Sequence, residues 1–170
     1  MHRLHLLRHA KSDYPDGVDD HDRPLTRRGR EVARRVGRHL AKTAGEIDLV
    51  LCSTATRARE TLDEMLLAFA ERPPPVRFED DLYLAGATAL LRRLRRIDED
   101  RGAVLVVGHN PGIHEFALAL ANPETPGYAA LSGKFPTAAR ASFIVASTWE
   151  ALAPGEQKLI DYVTPKSLGD

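Results

Sequence analysis

The sequence is poor in cysteine, in aromatic residues and in any excess of charge. Cys52 is its one cysteine, which excludes an internal disulfide and any zinc centre built on cysteine pairs. Lys plus Arg and Asp plus Glu each number 24, so the formal net charge is zero. A chain that coats nucleic acid or an anionic membrane needs a basic excess, and neither partner is expected here. No apolar run in the sequence approaches the roughly 20 residues needed to cross a bilayer. Near the amino terminus Arg3, His5 and Arg8 interrupt the apolar residues, so a secretory leader is not expected and the default location is cytoplasmic. What is present is ordinary globular material. Of 170 residues, 43% are hydrophobic and 28% charged, enough for one sizeable core. A single domain over 1–170, working as a monomer, is the simplest reading.

The pattern along the chain alternates strands and helices. LHLLRH at 4–9, IDLVLCS at 47–53 and AVLVVG at 103–108 read as strands, and VRFED near 76–80 as a short one. Residues 13–24, rich in Asp, Pro and Gly, form a loop. Thr26 can then cap a helix whose Val32, Val36 and Leu40 recur at four-residue spacing. Further helices are expected from Thr56 to Ala70, over 87–97 and from Ile113 to Ala121. ASFIVASTW and KLIDYV read as closing strands, a terminal hairpin. The stretch 121–139 is the longest irregular one, a short helix or a flap. Together these predict an α/β fold, a three-layer sandwich with a mostly parallel central sheet and helices on both faces.

In such sheets ligands bind beyond the carboxyl ends of the strands, and three strands end in suggestive residues. The first ends in Arg8-His9. The second ends in Cys52-Ser53 with Arg57 and Arg59 just beyond, and the fourth in Gly108-His109-Asn110-Pro111-Gly112. If the three strands are neighbours, two histidines and at least two arginines meet. That set suits phosphoryl transfer. Guanidinium groups grip phosphoryl oxygens bidentately and stay charged. Neutral imidazole is a good nitrogen nucleophile, and nearby cations keep it unprotonated. A second histidine can stabilise charge on the moving group. Arginines that supply the positive charge remove the need for a metal. Taken singly each feature is bland: a strand-end histidine, a solvated helix arginine (the better reading for Arg59), a Gly-Pro turn.

LLRHAKS, DRPLTRRG, CSTATRARET and VVGHNPG, in this order, resemble the histidine phosphatase superfamily, and most closely its small SixA-type phosphohistidine phosphatase branch. The matching motifs run from Leu6 to Gly112. The resemblance implies that His9 is the nucleophile, that Arg8 and Arg57 bind the phosphoryl oxygens, and that His109 completes the pocket, with no metal and no organic cofactor. It implies a phosphatase acting on phosphohistidine of a signalling or phosphotransfer protein. Many members of the superfamily carry a carboxylic acid that protonates the leaving group; here Asn110 holds that place, and Glu79, Asp80, Asp81 and Glu115 are unranked candidates. Lack of an acid favours a phosphoramidate, whose leaving imidazole can take its proton from solvent.

Rival readings are weaker. Cysteine-dependent phosphatases need five residues between cysteine and arginine; Cys52 to Arg57 leaves four and Cys52 to Arg59 six. His2, His5, His9, His21 and His109 show no recognisable metal-ligand spacing. A phosphatase of small monoesters and a non-catalytic phosphate-recognition module are the alternatives that the sequence leaves open. A mutase, which must retain the phosphoryl group in an enclosed site, fits less well.

Overall fold

Short apolar runs make six strands: β1 (His2–Arg8), β2 (Leu49–Ser53), β3 (Val76–Glu79), β4 (Ala103–Gly108), β5 (Arg140–Val145) and β6 (Lys158–Val163). In the computed structural model, which describes residues 1–169, they form one sheet in the order β3-β2-β4-β1-β5-β6. The first four in that order are parallel to one another. β5 runs antiparallel to β1, and β6 antiparallel to β5. The predicted sheet is therefore found, mostly parallel with an antiparallel margin. Every residue of β2 and β4 is buried, as expected of central strands covered on both faces.

Two helices, α1 (Arg27–Thr43) and α2 (Thr56–Leu66), cover one face. On the other lie α3 (Ala87–Leu94), α4 (Gly112–Leu120) and the short α5 (Tyr128–Ser132). Side-chain alternation along the strands feeds two cores. Leu7, Val50, Cys52 and Leu105 pack under α1 and α2 with Val36, Leu40 and Leu62. Leu4, Leu6, Leu51 and Val106 pack with Phe116, Leu120, Leu131 and Trp149 on the opposite side. These are the predicted three layers.

Local chemistry sets the boundaries. Thr26 Oγ1 accepts from the Gly29 N–H at 2.9 Å and caps α1. A Cβ on Gly29 would stand 2.2 Å from the carbonyl oxygen of Lys11, so glycine lets the helix start press on the chain just past His9. Gly112 does the same at the start of α4, where a Cβ would fall 1.8 Å from the Ala85 carbonyl oxygen. Two helices are shorter than predicted. α2 tightens into a 3-10 turn at Leu67–Phe69, ahead of the prolines at 73–75. α3 ends at Leu94, with Ile97 turned into the core by a tight turn to the Leu94 carbonyl. The 121–139 stretch holds α5 and packs down through Leu131 and Phe135, a wall rather than a flap. Arg140 opens β5 instead of lying outside it, and is 1% exposed. Among the described residues no helix is long and apolar enough to cross a membrane.

Candidate active site

The order β2-β4-β1 makes the three polar strand ends neighbours. His9, just past β1, donates its backbone N–H to the Gly108 carbonyl at 3.1 Å. Its ring centroid stands 5.2 Å from that of His109. The His9 Nδ1 lies 2.7 Å from the Ala10 carbonyl oxygen. A carbonyl only accepts, so Nδ1 carries the proton and Nε2 keeps a lone pair. Arg57 Nε donates to that Nε2 at 3.3 Å. Burial, with further contributions from Arg57, Arg8 and Arg23 and against the Ala10 carbonyl, lowers the His9 pKa to about 4. At neutral pH the ring is therefore unprotonated.

His109 Nε2 meets Ser53 Oγ at 2.8 Å, and that hydroxyl accepts from the Ala55 N–H at 3.2 Å. His109 Nδ1 is buried without a partner. Burial first, then His9 and Arg57, push its pKa down to about 3. Thr61 ties the two motifs together. Its Oγ1 accepts from the Ala10 N–H at 2.9 Å and donates to the Arg57 carbonyl at 2.7 Å, fixing the turn that holds His9 to the helix that carries Arg57.

Arg8 is held by the wall segment: its Nη1 donates to the Phe135 carbonyl at 3.1 Å, which also accepts from Asn110 Nδ2 at 2.9 Å. Arg57 is 3% exposed. Its terminal nitrogens donate to the Asp20 carbonyl at 2.6 Å and to Asp20 Oδ2 at 3.0 Å. Asp20 also accepts from Tyr83 Oη and from Arg23. Tyr83, then Arg23 and Arg57, hold its carboxyl well below the usual carboxylate range. Asp20, 48% exposed, is thus an ionised anchor.

A cleft of about 610 Å³ opens over this set. Arg8, His9, Arg57 and His109 line it, with Lys11 and Arg23 adding positive charge and Asp20 as its one carboxylate. Another cleft, of about 730 Å³, sits at the amino ends of β2, β3 and β4 around Asp48, Pro75 and Arg101, far from these groups. The chemistry, not the volume, singles out the first.

All four residues predicted for the site, Arg8, His9, Arg57 and His109, therefore meet in one cleft. Arg59 does not join them: it stacks 4.2 Å over the Phe78 ring. The four candidate acids stay outside as well. Glu79 is gripped by Arg93 at 2.7 and 2.8 Å, and Asp80 accepts from Thr54 at 2.6 Å. Asp81 lines a separate cleft with Arg77 and Arg96, and Glu115 is exposed on the first turn of α4. Cys52 is sealed in the core, with its thiol pushed up to about 12 by burial, so it stays an inert thiol. Among the described residues no group of three or more His, Cys, Asp or Glu is placed to hold a metal ion. Asp20, Arg23, Tyr83 and the linking role of Thr61 escaped the sequence reading. A signal existed for one of them, since Arg23 immediately precedes the Pro-Leu-Thr that leads into α1.

The sequence profile of the histidine phosphatase superfamily (branch 1) matches residues 4–83. An uncharacterised protein of Mycobacterium tuberculosis (strain ATCC 25618 / H37Rv) is 39% identical over 163 residues, covering 94% of this chain and all of that one. A structure provisionally described as the phosphohistidine phosphatase SixA of Nakamurella multipartitia superposes with a TM-score of 0.85 at 31% identity, covering 96% of each chain. The chain belongs to the histidine phosphatase superfamily. Within it the likeness is to the SixA branch. A structure of the protein histidine phosphatase SixA in complex with tungstate gives a TM-score of 0.79 at 26% identity, over 98% of this chain and 99% of that one. The histidine phosphatase profile stops at residue 83, so His109 joins the site through the fold rather than through that match.

Proposed function

We propose that this histidine phosphatase hydrolyses phosphohistidine on a protein through a transient phospho-His9. The Nε2 lone pair of His9 attacks phosphorus, and the phosphorus–nitrogen bond to the substrate imidazole breaks. That imidazole leaves with a proton taken from solvent. Water then attacks phospho-His9, the phosphorus–Nε2 bond breaks, and phosphate departs with His9 neutral again. Arg8 and Arg57 bind the phosphoryl oxygens, and a free His109 Nδ1–H adds a donor. These groups supply the charge that a metal would otherwise bring, and residues 1–170 act as one catalytic domain.

The observation that carries this reading is the Nδ1 contact of His9 with the Ala10 carbonyl, which leaves Nε2 as a nucleophile among cations. The carboxylates support the substrate class. Asp20, the one in the cleft, is held ionised, and an ionised carboxylate donates no proton to an alkoxide. Imidazole makes no such demand.

The test is phosphate release from a histidine-phosphorylated carrier protein and from an aryl phosphate, with wild type and His9→Ala. Release should be faster from the carrier and fall by roughly 10³-fold or more in the variant. Preference for the ester would move the substrate to small monoesters. Phosphate binding without release from either would sink the enzyme reading and leave a recognition module.

A further inference from the structure

A second cleft, of about 540 Å³, adjoins the first and shares Lys11 and Thr137 with it. Lys134 and Lys166 join Lys11 around it, while Val32, Pro136 and Tyr162 give it an apolar floor, and among the described residues no carboxylate lines it. The three lysines are exposed. Arginines on the helices behave differently. Arg30 and Arg34 pair with Glu60 and Glu64 at 2.6 and 2.5 Å, and Arg93 pairs with Glu79 at 2.7 Å. Among the described residues Lys11, Lys134 and Lys166 have no ion-pair partner, in a chain whose net charge is zero. Uncompensated charge gathered beside an active cleft is the unusual feature.

We propose that this cleft is the docking site for the phosphorylated protein, and that it receives an acidic segment carrying an apolar side chain; the inference rests on the phosphoprotein reading above. Carboxylates of the segment meet the lysines while its apolar side chain covers Tyr162 and Pro136. The floor is rigid where it matters. Tyr162 Oη donates to the Lys134 carbonyl, and its ring lies 5.6 Å from that of Phe135, whose carbonyl holds Arg8. A segment seated here therefore stands in fixed relation to the phosphoryl clamp. Lysines on flexible stems give a fast, salt-sensitive encounter more than a tight complex, which suits an enzyme that must release its product. A polyanion or an anionic bilayer would need positive charge spread beyond one concave cleft, and a chain of zero net charge exerts no long-range pull toward either.

The test is the double charge reversal Lys134→Glu/Lys166→Glu, at two exposed positions outside the phosphoryl pocket. Turnover of a histidine-phosphorylated carrier protein should fall on the order of tenfold, with a loss that shrinks at high salt, while turnover of p-nitrophenyl phosphate changes less than about twofold. In parallel, a synthetic peptide of alternating Glu and Leu should shift the NMR signals of Tyr162 and Lys166 in wild type and not in the variant. Equal loss on both substrates, an unchanged carrier rate, or a peptide that leaves those signals in place would overturn the proposal. So would tighter capture of single-stranded RNA or of phosphatidylserine vesicles by the same residues. If wild type releases no phosphate from the carrier, the phosphohistidine reading falls instead, and the peptide titration alone decides whether the cleft takes acidic segments.

Discussion

His5 and His9 stand four positions apart at β1, and both are buried beside an arginine. Burial lowers their pKa values to about 3 and about 4. By titration they are near twins, and by surroundings they are opposites. His5 Nδ1 meets Ser142 Oγ at 2.7 Å, and the same hydroxyl accepts from Arg140. Arg140 in turn reaches Asp161 at 3.1 Å and His39 at 3.2 Å. That network lies between the sheet and α1, and none of the clefts described above reaches it. His9 and Arg57 face a cleft, and Arg57 spends its terminal donors on one loop residue, on the Asp20 carbonyl and on its half-exposed carboxylate, which an incoming anion can replace. A depressed histidine pKa thus reports burial and nearby positive charge, not a site. A site needs burial together with access, and donors whose partners can be exchanged.

The sharpest way to break this comparison is to remove one group from each assembly. Arg57→Ala should lower kcat/KM for the preferred substrate by about 10²–10³-fold. Asp161→Asn should do the reverse. It leaves Arg140 buried without its carboxylate and should cost about 2 kcal/mol in a urea titration, less than the full penalty for a stranded charge, because Asp161 is 40% exposed. Its kcat/KM should stay within about twofold of wild type. An Asp161→Asn loss of rate comparable to that of Arg57→Ala would mean that the two networks are one.

The smallest effect concerns pH. The folded pKa values of His5, His9 and His109 lie below the ordinary 6.5, so in that range the unfolded chain binds more protons. Stability is full above about pH 6.5 and falls as the pH drops toward 4. His5→Gln should make the fall shallower, read from urea midpoints at pH 7 and pH 5, without altering the pH profile of kcat/KM. That profile should hold through the mildly acidic range and drop only as the pH approaches about 4, where His9 takes a proton. A rate profile that moved with His5→Gln would refute the division between the sealed histidine and the open one.

Legibility followed the same division. Continuous apolar stretches made β2 and β4 readable as buried strands, Thr26 marked the start of α1, and three polar strand ends carried the four site residues. Asp20 was not readable, because an aspartate among Asp13, Asp16, Asp19 and Asp22 gives no local sign that it will meet Arg57. Thr61 closes the CSTATRARET motif, but nothing in that motif told that its hydroxyl joins Ala10 to Arg57. Arg140 was misleading, since an arginine before an apolar run normally ends up in water. Here Asp161, Ser142 and His39 supply partners that permit its burial.

Sequence by itself determined where strands and helices form and which side chains carry phosphoryl chemistry, because periodicity, capping and residue type act over a few neighbours. Tertiary structure alone decided the strand order that brings β2, β4 and β1 together and sets Arg57 against His9. It also decided that Asp20 stays ionised and that one histidine network is open while the other is sealed. The reason is physical: the contacts responsible join residues 37, 48 and 137 positions apart. Proton affinity answers chiefly to the burial that such contacts create, and only in part to neighbours in the chain such as Arg8 and Ala10.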